Sequence, residues 1–356
     1  MPPDLDAALR YCWHPVCTLA ELAAAAPHPL GVRLLGTPLA VADLGGADLG
    51  GADVVAVVDR CPHRSTRLSI GWVDAGRLRC ANHGWCFDAT GRCIEIPSLG
   101  IPSLGGGVIP ERAALVPAEV EVAYDLVWVR LDASAPTRVP PHPSFGDPRC
   151  RVLAGAPYTW PTSAGRRVEN FVDLAHFPWV HDGTLGTRSE PVPPVPEVRR
   201  EAGELRFEFV PPAMDAADVA LFGWSGYRMP IPLTVDIEFR LATGATRWLW
   251  MTASPVDSGT CRTFWSVARD DDLDGDDATY MEFQELILRE DEPVACNQDP
   301  PELVLDQSEV SVRTDRVSIE YRRWLRELAM AATAPDPGAA IGSVLAASAT
   351  TTTVAG

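Results

Sequence analysis

The chain contains no lysine. All 30 of its basic residues are arginine, and 48 acidic residues bring the formal net charge to -18. That balance argues against nucleic acid or an anionic membrane surface as a partner. No apolar run approaches the roughly 20 residues that cross a bilayer, which argues against a membrane protein. The opening MPPDLDAALRYCWHP places acids where a secretory signal needs a basic region and then an apolar one, so a cytoplasmic location is expected. Repeats are scarce as well: IPSLG occurs twice in tandem, at 96–100 and 101–105, a loop duplication rather than a solenoid. Nine cysteines, an odd number spread widely, do not make a disulfide framework in a reducing compartment and raise the question of which bind metal.

With 356 residues, 46% of them hydrophobic, the chain has material for two domains. Strand-like runs at 32–35, 53–58 and 120–131 occupy the first third. The proline-laden stretch APTRVPPHPSFGDPR, 135–149, can continue neither helix nor strand and reads as a linker. Beyond it, strands are expected at 205–210, 234–241, 246–253 and 260–267, the last two facing each other across the turn signal at 255–259. Helices are expected at about 277–291 and 314–330; the second carries Val317, Tyr321, Trp324 and Leu328 at helical spacing, a core-packing face. From Ala334 onward the composition is too weakly apolar to pack, and a disordered tail is expected at 334–356. The domains are therefore read as 10–134 and 150–333, joined through 135–149.

The first domain holds CPHRSTRLSIGWVDAGRLRCANHGWCFDATGRC, in which Cys61-x-His63 and Cys80-x-x-His83 each offer one thiolate and one imidazole. Such a set suits a tetrahedral zinc, or a 2Fe-2S cluster with two thiolates on one iron and two imidazoles on the other. Zinc sites of two Cys and two His usually pair like ligands; here each loop contributes one of each, as a cluster with chemically different irons requires. Gly84 permits close backbone approach, and Trp85 and Phe87 can shield buried sulfur. Cys86 and Cys93 are read as small buried hydrophobes. In CPH at 61–63 and CANHGWCFDATGRC at 80–93 the sequence resembles a Rieske iron-sulfur domain.

The second domain opens with ENFVDLAHFPWVH, which sets His176 and His181 five residues apart with Pro178 between them. Five residues along a helix point roughly 140° apart, so one continuous helix would not aim both imidazoles at one metal. Pro178 predicts that a helix carrying Asn170, Asp173 and His176 stops near Phe177, and that the chain turns back to bring His181 beside His176. Non-haem iron that activates oxygen takes two histidines and a carboxylate on one face. In FQELILREDEPVACNQDP the carboxylate candidates are Asp291, Asp299 and Glu290. Phe283, Ile287 and Asp291 recur at four-residue steps, which places Asp291 on the inward stripe, where a metal would compensate a buried charge. Asp299, beside two prolines in a loop, can be satisfied by solvent. Asp291 is the favoured ligand. Asn170 could simply cap a helix.

Asn170-x-x-Asp173-x-x-His176-x4-His181 resembles the mononuclear iron motif of the Rieske non-haem iron oxygenases, and the likeness runs from Tyr11 to about Leu328. The resemblance implies an α+β protein: an N-terminal all-β Rieske domain and a C-terminal helix-grip (START-like) domain with an antiparallel sheet. It implies a Rieske 2Fe-2S cluster on Cys61, His63, Cys80 and His83, and a mononuclear Fe(II) on His176, His181 and Asp291. Asn170 would sit near the iron. Electrons would come from a ferredoxin or an NAD(P)H-dependent reductase, and copies would form a head-to-tail homotrimer in which Asp173 accepts a hydrogen bond from His83 of a neighbouring copy. Chain length and the ending VSIEYRRWLREL look like the monooxygenase branch that includes vanillate and dicamba O-demethylases. Hydroxylation or oxidative demethylation of a small organic substrate is the implied reaction; the same iron can give cis-dihydroxylation, desaturation or cyclisation. A non-catalytic electron carrier and a zinc-stabilised interaction module are the competing classes.

Overall fold

A computed structural model describes residues 4–45, 53–100, 107–201, 203–210 and 222–346. The second IPSLG copy and the end of the expected tail lie outside these residues. The chain forms two compact units: Arg10–Ser134, and the residues up to Leu9 together with everything from Ala135 onward. No helix among the described residues is long and apolar enough to cross a membrane.

The Arg10–Ser134 unit is built from strands β1 (His14–Thr18), β2 (Leu30–Leu34), β3 (Thr37–Asp43), β4 (Val54–Val58), β5 (Trp72–Asp74), β6 (Arg77–Arg79), β7 (Cys86–Phe87), β8 (Cys93–Glu95), β9 (Pro117–Ala123) and β10 (Leu126–Arg130). One antiparallel sheet runs β1-β10-β9-β4-β3-β2, and a smaller one runs β5-β6-β7-β8. The run expected as one strand at 120–131 is instead the hairpin of β9 and β10. Tyr124 and Asp125 turn it with φ of 60° and 59°, the two left-handed residues of a primed turn that follows strand twist. Neither residue is the glycine or asparagine that usually announces such a turn.

The second unit holds an antiparallel sheet of β11 (Arg151–Ala154), β12 (Tyr158–Trp160), β13 (Arg199–Glu201), β14 (Glu204–Phe209), β15 (Phe222–Ile231), β16 (Thr234–Leu241), β17 (Thr246–Asp257) and β18 (Thr260–Arg269), in the order β11-β18-β17-β16-β15-β14-β13, with β12 also on β18. Helix α1 (Ala164–Val172) packs against β16, β17 and β18, and against the long helices α3 (Asp277–Ala295) and α4 (Arg316–Ala331). Between α1 and α3 in the chain comes the single-turn α2 (Phe177–Val180). Buried Val317, Tyr321, Trp324 and Leu328 form the inner face of α4.

Two expectations are corrected here. The proline-laden 135–149 is not a free linker: Ala135, His142 and Ser144 are buried, His142 stacks on Trp250 at 4.6 Å, and Pro141 accepts a hydrogen bond from Trp250 Nε1 at 3.2 Å. Proline limits what the unfolded chain can sample, so an irregular segment can pack once side chains satisfy its polar atoms. The tail is ordered as far as Ala346, through helix α5 (Pro337–Ala346), with Gly338 and Ile341 buried and Arg200 Nη2 donating to the Val344 carbonyl at 3.2 Å. One fully buried isoleucine and contact with α4 anchor a segment whose composition alone promised nothing.

Candidate metal centres

In the first unit the two Cys/His loops share one backbone design. Cys61 N–H donates to Thr66 O at 2.8 Å and Ser65 N–H to Cys61 O at 3.0 Å; Cys80 N–H donates to Trp85 O at 2.9 Å and Gly84 N–H to Cys80 O at 3.0 Å. Ser65 and Gly84, at equivalent places, take φ of 58° and 69°. Each loop thus closes on itself and presents its cysteine inward, into an apolar cluster that includes Leu68, Leu78, Phe87 and Ile96. The His63 and His83 rings lie 4.5 Å apart, and Trp85 stacks on His63 at 4.6 Å. Burial, with the Cys80 thiol close by, pushes the Cys61 thiol up to about 11. His63 Nδ1 is buried and has no hydrogen-bond partner among the described residues. Two buried thiols close to each other, with an orphaned nitrogen on an imidazole packed against a second histidine, fit a metal cluster that would supply the missing positive charge. Cys86 and Cys93 are buried as well.

In the second unit the break in ENFVDLAHFPWVH comes earlier than expected. Helix α1 ends at Val172, with Asp173 in extended conformation as its C-cap. Pro178 ends nothing; it sits in the first turn of α2, where a missing N–H costs little. His176 and His181 flank this single turn, and the His181 N–H donates to Phe177 O at 3.1 Å. The turn brings their Nε2 atoms to 3.3 Å.

Helix α3 supplies the third member. It continues through the exposed Pro293 to Ala295, so Asp291 lies a turn inside the helix, 4% exposed. Asp291 Oδ1 is 3.2 Å from His181 Nε2 and 3.5 Å from His176 Nε2. One ligand atom from each of the three residues falls within 4.8 Å of the others. Asp299 is exposed on the surface. Glu290 stands behind His181 instead of beside it: its Oε2 accepts from His181 Nδ1 at 2.7 Å and its Oε1 from Thr184 Oγ1 at 3.0 Å. Asp173 Oδ2 accepts from His176 Nδ1 at 3.1 Å, and its Oδ1 takes the Ala175 N–H. Carboxylates at both Nδ1 atoms make those nitrogens donors, so both Nε2 atoms are turned toward the Asp291 oxygen.

Three electron-rich atoms that close call for a cation. Burial lowers the His176 pKa, but Asp173 and Asp291 outweigh it and hold the ring up to about 9. Burial likewise opposes ionisation of Asp291, yet the two histidines and Arg167 keep its carboxyl far below the usual range. Asn170 is no helix cap: its Nδ2 donates to Asp291 Oδ1 at 3.2 Å, and its Oδ1 accepts from Arg167. The sequence reading missed Arg167, although it lies one helical turn before Asn170 on the same face of α1.

The triad closes one side of a cavity of about 330 Å³, lined mainly by apolar and aromatic side chains that include Phe171, Leu174, Phe239, Tyr227 and Ile287. Gln284 also lines it, and its amide nitrogen has no hydrogen-bond partner among the described residues.

A cluster-type pocket of paired Cys and His, with a facial His-His-Asp set in a second unit, is the pairing that defines oxygenases fed by an iron-sulfur domain. Residues 12–104 match the Rieske [2Fe-2S] domain and residues 160–331 the vanillate O-demethylase oxygenase C-terminal domain. The chain is a monooxygenase of the Rieske non-haem iron oxygenase family, which works with a 2Fe-2S cluster and a mononuclear iron. It is 41% identical over 335 residues to methylxanthine N3-demethylase NdmB of Pseudomonas putida, covering 91% of this chain and 90% of that one. Methylxanthine N1-demethylase NdmA of the same organism is 38% identical over 326 residues, 90% and 89% covered. The solved structure of NdmA with caffeine superposes with a TM-score of 0.88 at 36% identity, over 99% of this chain and all of that one. Dicamba monooxygenase bound to dicamba, at 20% identity and a TM-score of 0.71 over 90% of this chain and 98% of that one, shares the fold.

Proposed function

We propose that this chain is the oxygenase component of an oxidative N-demethylase for planar, carbonyl-bearing heteroaromatic substrates of the methylxanthine kind. The observation that carries the proposal is the cavity, which opens on the His-His-Asp set and offers aromatic walls with an unpartnered Gln284 amide. Apolar walls accept a flat ring, and one placed donor or acceptor fixes its orientation. Its 330 Å³ is ample for a bicyclic heterocycle. Similarity to two methylxanthine N-demethylases over nine-tenths of the chain supports the substrate class.

His176, His181 and Asp291 would hold the mononuclear iron, and Cys61, Cys80, His63 and His83 the cluster. When bound, these groups supply two electrons and activate dioxygen for insertion into a methyl C–H bond. Asp173 and Glu290 fix the ring orientations of His176 and His181, and Phe177 with Leu185 limits water around them. Gln284 would hold a ring carbonyl or nitrogen so that one N-methyl group faces the triad. A hydroxylated N-methyl carbon breaks to formaldehyde and a free N–H, so one dioxygen, two electrons and two protons give demethylated product, formaldehyde and water.

The remaining assignments belong to the same proposal. A ferredoxin or an NAD(P)H-dependent reductase would deliver electrons, and a cytoplasmic location is supported by nine cysteines none of which pairs in a disulfide. A head-to-tail homotrimer, by the family likeness, would let the partly exposed Asp173 take a hydrogen bond from His83 of a neighbouring copy. The test is turnover with a compatible reductase: caffeine, theobromine and theophylline should stimulate oxygen uptake with stoichiometric formaldehyde, and Gln284→Leu should raise KM about tenfold or change which methyl is lost. Oxygen uptake with methoxybenzoates but none with methylxanthines would replace the N-demethylase reading by an O-demethylase one.

A further inference from the structure

The two oxygens of Asp291 have different neighbours. Oδ1 faces His176, His181 and the Asn170 amide, whereas Oδ2 lies 3.3 Å from Arg167 Nη1. Arg167 has little freedom to move away. Its side chain is fully buried, its Nε donates to the Tyr158 hydroxyl at 2.9 Å, and its guanidinium lies 3.9 Å from the centre of the Phe171 ring and 4.5 Å from that of Trp160. Its Nη1 also meets Asn170 Oδ1, so one guanidinium nitrogen bridges the amide and the carboxylate.

A buried cation beside a metal-binding set repels the metal, so affinity alone would be better served by an apolar side chain here. A carboxylate left to itself can offer a metal both oxygens. The second oxygen would then occupy a position that oxygen chemistry needs open. Resting on the metal reading above, we infer that Arg167 is a positioning residue: it engages Oδ2 so that Asp291 presents Oδ1 alone to the metal. Arg167 thereby exchanges some metal affinity for a free coordination position, and Asn170, bonded to both partners, keeps the carboxylate from rotating.

This assigns a sign that a merely structural arginine would not have. Removing it should tighten metal binding. The test uses cluster-bearing protein stripped of mononuclear iron by a chelator and titrated with cobalt(II), with His181→Ala setting the background. Arg167→Met should bind cobalt(II) roughly tenfold more tightly than wild type, and its crystal structure should show both Asp291 oxygens on the metal. The wild-type cobalt complex should show Oδ1 on the metal and Oδ2 still on Arg167. Both oxygens on cobalt in the wild type overturns the inference, as does equal or weaker binding by a folded Arg167→Met. If that variant does not fold, the wild-type complex decides alone. Absence of cobalt from the wild-type triad would overturn the metal reading itself, and this inference with it.

Discussion

Asp291→Ala deletes the anionic oxygen on which both Nε2 atoms converge. Mononuclear iron should be lost and demethylation should fall about 100-fold or more, while the visible and paramagnetic resonance spectra of the cluster stay unchanged. Asp299→Ala, at an exposed position, should leave iron content and turnover as they are. Retained iron in the first variant, or lost iron in the second, would reverse the assignment. Glu290→Gln keeps the shape behind His181 but weakens its charge-assisted hydrogen bond, so iron affinity should drop about tenfold. Much of this was legible in the sequence. The spacing of His176 and His181 demanded a bend, and the four-residue steps from Phe283 carried Asp291 inward. The duty of Glu290 was not legible, because adjacent carboxylates on a helix point to different partners and only the fold decides which meets the metal side of an imidazole and which its back. Arg167 was hidden for a related reason: a charged residue on a helix face reads as solvated until aromatic rings are found around it.

At the level of elements, strands and helices with strong periodicity were readable, and the failures cluster where local composition is weak. The Tyr124–Asp125 turn lacked its usual residues, and α5 depends on tertiary contacts that no window of sequence contains. Gly203 shows how those contacts are made. It has φ of +83°, and a Cβ there would stand 1.8 Å from the Leu345 carbonyl oxygen of α5. Gly203→Ala combines backbone strain with a clash against main chain, and should cost about 1–3 kcal/mol. A fall of several degrees in the thermal midpoint of the wild-type protein would register it. Deleting the chain from Pro337 in the same background should reduce the penalty to the backbone strain alone, since the carbonyl it strikes is then gone. An undiminished penalty in the truncated protein would mean that the strain at Gly203 is purely local.

The whole molecule should respond to acid through His142. Burial lowers its pKa from 6.5 to about 4, so the folded ring stays neutral where the unfolded one is already protonated. The unfolded state binds more protons in that interval, and the stability contributed by the neutral ring, complete above about pH 6.5, is lost as pH falls toward 4. The loss amounts to about 3 kcal/mol. Asp236 acts in the opposite sense: burial raises it to about 6, so the folded state holds its proton longer than the unfolded one and stability falls as pH rises from about 4 to 6. Comparison with His142→Gln isolates the histidine: between pH 7 and pH 4.5, wild type should lose more stability to urea than the variant does. Equal losses would place the acid sensitivity elsewhere. At this scale the sequence located the two metal motifs and the two strand-rich regions. It did not reveal that 135–149 is packed, because prolines mark irregular backbone without saying whether that backbone is buried.

The Arg10–Ser134 unit begins after Leu9 and ends before Ala135, and the Asp132 N–H donates to the Arg10 carbonyl at 2.9 Å, so it is entered and left at neighbouring points. Topologically it is a cassette set into the other unit's chain, since Ala8 and Leu9 are buried in contacts of the helix Leu5–Leu9 with α4. A segment whose ends already meet does not depend on its host to hold them together. Residues 10–134 produced alone should therefore fold and take up a red-brown cluster, and the same segment should tolerate transplantation into a surface turn of an unrelated scaffold. The iron-sulfur module of this oxygenase is, in that sense, portable.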